Sequence, residues 1–98
     1  MKIVINEGAL QWFKNEVGLK KGDMVKFYSK IYGSSPVQEN FALAFTVDND
    51  PVDMKVITEA DGITFYVEEN DLWFFNGHDL YVGYNEKMDE VEYSYKKP

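Results

Sequence analysis

The sequence predicts a single α+β domain, mostly β, with about seven short, mainly antiparallel strands and two helices near 7–17 and 69–76. Three observations carry this. Apolar and polar residues alternate in short runs along most of the chain, the two-residue period of a half-buried strand. Most of these runs follow one another with turn residues, not helices, between them, so strands are expected to pair with their sequence neighbours. The chain has 98 residues, of which 45% are hydrophobic and 16% aromatic. That is one domain's length, with enough apolar material for one core spanning 1–98.

Residues 2–5 read as a first strand. Asn6 is a good helix N-cap, and Glu7 follows in the first turn, where the helix dipole favours an anion. Ala9, Leu10, Phe13 and Val17 recur at three- and four-residue steps and make an apolar stripe. Gly18 suits the left-handed position that ends such a helix. Residues 24–32 alternate, with Val25, Phe27 and Ile31 facing one way, until Gly33-Ser34-Ser35-Pro36 breaks the run into a loop. Phe41, Leu43, Phe45 and Val47 mark a strand at 40–47. Asp61-Gly62, a favoured tight-turn pair, joins strands at 54–59 and 62–67. Alternation stops at Glu68–Phe75, and a short helix ending near Asn76-Gly77 accounts for the change. Strands at 79–84 and 90–95 close the chain, with Glu86–Asp89 as their turn.

The charge excludes several classes of function. There are 17 acidic and 10 basic residues, for a net charge of −7. Residues 1–49 hold six Lys against five acids (+1), and residues 50–98 hold four Lys against twelve (−8). Every basic residue is Lys, so the planar Arg fork that grips phosphates and guanine edges is absent. Nucleic acid and anionic membranes are therefore not expected partners. No cysteine occurs, which removes thiolate metal sites, disulfides and Cys nucleophiles. That absence, together with no visible signal peptide and no apolar run near the ~20 residues of a membrane span, points to the cytoplasm.

Candidate chemistry is sparse. Asp48, Asp50, Asp53 and Glu59 have partial calcium-loop spacing, but Pro51 and Asp53 stand where that loop needs its sharp Gly turn. They read as a solvated acidic turn. His78 and Asp79 are neighbours, yet adjacent strand residues face opposite ways, so they are not expected to form a general-base pair. Glu68, Glu69 and Asp71 read as first-turn acids. Of Trp73, Phe74 and Phe75, at least two are expected in the core, which leaves Trp73 as the candidate exposed contact. Gly33, Ser34, Ser35 and Pro36 form a small-residue loop without the lysine and helix of a phosphate loop.

The order of these parts resembles a known family. The residues that carry the likeness are Ile3–Leu10, Val25–Tyr28 running into Gly33-Ser34-Ser35, Phe41–Phe45, Gly62–Val67 and Leu72–Leu80. Together they resemble the HesB-like domain of the A-type iron–sulfur carriers, and most of all its short, cysteine-poor bacterial branch. The resemblance implies a compact β-rich fold with two helices. It also implies three cluster-binding cysteines, one in a Gly-Cys-Ser-Gly-like loop and two in a C-terminal Cys-Gly-Cys. Here Ser34 stands at the loop position and the C-terminal pair has no counterpart. A hydroxyl does not replace a soft thiolate on a cluster, so the family's function is not expected to follow its fold.

The reading is therefore a cysteine-free HesB-like scaffold acting as a cytosolic protein- or ligand-binding module without a cofactor. Its candidate interaction loop is Gly33, Ser34, Ser35 and Pro36, with Trp73 as an aromatic contact, and its partner is a protein or a second copy. The alternative is iron binding or delivery in iron–sulfur metabolism through oxygen and nitrogen ligands. An enzyme is the least favoured class, since no nucleophile–base pair has a supporting context.

Overall fold

A computed structural model describes all 98 residues. The first strand, β1 (Ile3–Ile5), leads through Asn6 into a helix. The Asn6 Oδ1 accepts from the Ala9 backbone N–H at 2.8 Å, as the cap reading requires. The helix is regular only over α1 (Glu7–Trp12); Phe13–Val17 continues it as a wider π-helical turn ended by Gly18 at φ 79°. The π turn departs from the helical stripe expected through Val17, because one extra residue fits in each hydrogen-bonded ring. Phe13 lies at the junction and is fully buried.

Six more strands follow: β2 (Met24–Ile31), β3 (Phe41–Val47), β4 (Met54–Ala60), β5 (Ile63–Glu68), β6 (Asp79–Asn85) and β7 (Glu90–Lys96). Between β5 and β6 a 3₁₀ turn, Glu69–Asp71, runs into the four-residue helix α2 (Leu72–Phe75). The second helix is thus shorter and more mixed than the 69–76 reading. Asn76, in the left-handed conformation at φ 48°, stops it. Asp61 (φ 52°) and Gly62 (φ 79°) are both left-handed and turn β4 into β5, the backbone signature of a hairpin that follows the strands' twist.

The strands form two mixed sheets, β1-β6-β7 and β3-β2-β5-β4. Three of the five pairings are antiparallel: β2 with β3, β4 with β5, and β6 with β7. The expectation of neighbour pairing misses the other two. β1 runs parallel to β6 and β2 runs parallel to β5. Alternation within a strand shows which face is buried and carries no information about which distant strand lies alongside. The parallel β1–β6 pairing is anchored at its start by Asp79, whose Oδ1 accepts from the Lys2 backbone N–H at 2.8 Å.

The core lies between the sheets and α1. Phe13, Phe27, Phe65, Phe74, Phe75, Ile63, Leu80 and Val82 are buried there. The expected inward face of β5 holds, since Ile63, Phe65 and Val67 are all buried; Tyr66 is buried on the other side, with its hydroxyl donating to the Asp48 carbonyl at 2.9 Å. β4 runs beside β1, so the sheets adjoin at that side. At the opposite side β3 and β7 leave a groove of about 480 Å³, lined by Trp12, Leu43, Phe45, Val91 and Tyr93 together with Lys30.

Candidate functional site

The loop and the tryptophan singled out in the sequence lie together. Ile31, at the end of β2, pairs across the hairpin with Phe41, the first residue of β3. The Phe41 ring meets the Trp73 indole edge-on at 5.0 Å. The Gln38 Nε2 donates to the Trp73 carbonyl at 3.3 Å. The connection between β2 and β3 is therefore fastened to α2, which accounts for its defined shape without regular secondary structure.

Within the loop, Ser35 and Gly33 hold the shape. The Ser35 hydroxyl accepts from the Gln38 N–H at 3.0 Å, while the Ser35 N–H donates to the Gln38 carbonyl at 3.2 Å. This reciprocal pair closes a turn over Pro36 and Val37. Gly33 lies against β3: a Cβ there would stand 2.4 Å from the Ala42 Cβ. Only glycine fits that approach. Ser34 and Pro36 are exposed.

Tyr32 was missed in the sequence, where it reads as the last residue of an alternating strand. It is 97% exposed, with φ at 70°. The other four non-glycine residues with positive φ are Asn or Asp, which tolerate the left-handed region because their short polar side chains bond locally. A bulky aromatic there is strained. The available signal was its position directly before a Gly-Ser-Ser-Pro break, where a strand has to leave its sheet. Ile31 is 64% exposed and Trp73 48% exposed, while Phe74 and Phe75 are fully buried. Trp73 is thus the outward member of the aromatic triplet, and it stands beside Tyr32's loop.

The acidic residues are arranged differently. Lys26 Nζ stands 3.4 Å from both Asp48 Oδ2 and Glu68 Oε1. The second Glu68 oxygen accepts from the Val52 and Asp53 backbone N–H groups at 2.8 and 2.6 Å. The Asp53 amide, helped by the Val52 amide and by Lys26, holds the Glu68 carboxyl below its ordinary range. Burial works against the charged Lys26, but the bonds to Asp48 and Glu68 prevail and raise its pKa. Burial, with the nearby Asp48, Glu68 and Asp50 charges, pushes Tyr66 up to about 12. These acids tie the Asp48–Asp53 turn to β2 and β5. No group of three His, Asp or Glu side chains is arranged to hold a metal ion. His78 Nδ1 lies 2.9 Å from the Phe75 carbonyl, and Asp79 turns to Lys2 instead of His78.

The signs of these shifts set a pH test. A carboxylate whose folded pKa is lowered stabilises the fold above its ordinary value of 4.5, and that contribution is lost as the pH falls through the folded value. A raised Lys26 contributes below 10.5 and is lost at more alkaline pH. Glu68→Gln is therefore expected to unfold at lower denaturant than wild type at neutral pH, with the gap narrowing when the pH is brought well below the ordinary carboxylate value of 4.5. Urea midpoints at the two pH values check this; a gap that is the same at both refutes the role given to Glu68.

The comparisons with known proteins give a family. A Bacillus subtilis protein named "Pyruvate dehydrogenase inhibitor" is 47% identical over 96 residues, covering 98% of this chain and 100% of that one. This chain belongs to its family. Proteins of Staphylococcus saprophyticus and Staphylococcus aureus, whose names assign no role, are 34% and 33% identical over 98 residues, again covering 98% of this chain and 100% of theirs. No protein-family model matches the chain. Nothing among these relatives points to a HesB-like domain. The Bacillus protein's name overturns the function expected from that resemblance, both the uncharacterised HesB-like module and the iron-delivery alternative. The role it names is regulation of an enzyme, outside iron–sulfur metabolism. The physical reason for the error is that strand order and small-residue loops are shared by unrelated functions, and the cluster ligands that would have carried the iron role are not in the chain. No helix is long and apolar enough to cross a membrane.

Proposed function

We propose that this chain is a cytosolic regulatory protein that binds pyruvate dehydrogenase and lowers its activity. The observation that carries the reading is the 47% identity to a relative named as that enzyme's inhibitor, across essentially the whole of both chains. Two features of the molecule agree with it. The buried or half-buried charged groups Lys26, Glu68, Asp71 and Asp79 are held in bonds that serve the fold. The chain also presents Tyr32, Ile31 and Trp73 outward, and tyrosine and tryptophan are over-represented among the residues that dominate binding energy at protein interfaces.

The test is an activity titration. Purified pyruvate dehydrogenase is assayed for pyruvate turnover with rising amounts of the folded chain, and with the same chain heat-unfolded. Turnover is expected to fall saturably with the folded chain only. Unchanged turnover at a large molar excess over enzyme sites refutes the reading.

A further inference from the structure

We propose that Tyr32 is the docking finger of this protein, entering an apolar recess with a basic rim on pyruvate dehydrogenase, with Ile31 and Trp73 packing around the mouth of that recess. This rests on the function proposed above and names the surface that performs it.

The backbone makes the first part of the case. Tyr32 is held in a left-handed conformation that disfavours a bulky side chain, while the side chain itself is 97% exposed. The fold therefore carries strain at a residue whose ring packs against nothing within the chain. Strain of this kind persists only where the surroundings enforce it, and it gathers at binding and switch positions. The surroundings here are the Gly33–Ala42 approach, the Ser35–Gln38 bonds and the Gln38–Trp73 bond. They fix the finger before any partner arrives, which reduces the ordering cost of association.

The shape makes the second part. Tyr32, Ile31 and Trp73 line none of the concavities of the molecule. The patch projects, so it does not enclose a small ligand; a projecting aromatic is desolvated by a concave partner surface. Ile31 pairs with Phe41 and Phe41 meets Trp73, and Tyr32 leaves the sheet at the end of that same strand pair.

Charge identifies the chemistry of the rim. Glu39 in the loop is exposed, and the acidic turn Glu69-Asn70-Asp71 leads directly into Trp73. Asp71 Oδ1 binds both the Ser29 N–H and hydroxyl, at 3.1 and 2.9 Å, which holds that turn against the end of β2. Lys26, the cation that shares a pocket with this turn, is paired with Asp48 and Glu68, and the chain as a whole carries a net charge of −7. A complementary surface is basic around an apolar centre.

The experiment compares wild type, Tyr32→Ala, Tyr32→Gly, Glu39→Lys and Ile57→Ala for binding to, and inhibition of, purified pyruvate dehydrogenase. Ile57 is 55% exposed on β4, at the sheet edge opposite β3. Tyr32→Ala and Tyr32→Gly are expected to bind and inhibit about tenfold or more weakly. Tyr32→Gly should melt no lower than wild type, since glycine accepts the left-handed conformation. Glu39→Lys should slow association, and Ile57→Ala should leave binding unchanged. Wild-type inhibition with undiminished binding by both Tyr32 variants overturns this surface and leaves the proposed function standing. A wild-type chain that neither binds nor inhibits overturns both.

Discussion

Phe13→Ala is expected to cost about 3–5 kcal/mol of folding stability, the range for removing a fully buried phenylalanine. Phe13 is fully buried where α1 passes into its π turn. Its ring meets Trp12 at 5.4 Å, Phe45 at 5.0 Å and Phe65 at 5.2 Å, two of them edge-on. It therefore joins the helix to β3 and β5 at once. Alanine leaves a void that the flanking strands, fixed by their ladders, close only in part. Small domains are stable by roughly 5–15 kcal/mol in total, so this one change removes much of the margin. Urea unfolding followed by tryptophan fluorescence measures the loss. A cost below about 1.5 kcal/mol, the level of a volume-conserving core swap, refutes the central place given to Phe13. Phe13→Leu, which keeps most of the volume, should fall near that level.

The second large effect is expected at Gly33. In Gly33→Ala the new Cβ meets the Ala42 Cβ at 2.4 Å and the Ala42 backbone nitrogen at 3.2 Å. Neither is the far end of a flexible side chain, so loop and strand have to separate. Overpacking of this kind costs about 1–3 kcal/mol, which for a domain of this size lowers the melting temperature by roughly 4–8 °C per kcal/mol. Ala42→Gly in the same chain removes the closest contact and is expected to recover part of the loss. Non-additive melting temperatures across the four proteins are the signature of a direct clash. A Gly33→Ala protein that melts with wild type shows that the loop does not seat on β3. The same separation would displace Tyr32, so Gly33→Ala is also expected to weaken partner binding more than its stability loss accounts for.

Parts of the candidate site were legible in the sequence, for local reasons. Gly33-Ser34-Ser35-Pro36 reads as a loop because these residues break an alternating strand. Trp73 reads as the exposed member of its triplet because a short amphipathic turn cannot bury three large rings in a row. Tyr32 was not legible: its importance lies in a backbone angle set by the contact of Gly33 with Ala42, nine residues on. The work of Glu68 was equally hidden. Glu68 reads as a first-turn helix acid, whereas it ends β5 and takes two amides from the Asp48–Asp53 turn that folds over it.

The sequence by itself determined the seven strands, the cap at Asn6, the left-handed stop at Gly18 and the Asp61-Gly62 turn. Each depends on residues within one or two turns of each other, where period and backbone preference act directly. It also determined the absence of thiolate chemistry. Only the tertiary structure decided that β1 lies parallel to β6 and β2 to β5, and that the loop between β2 and β3 is fastened to Trp73 through Gln38 and Phe41. Those outcomes depend on contacts between segments far apart in sequence. Many such pairings satisfy the same alternation, and packing of the shared core selects among them.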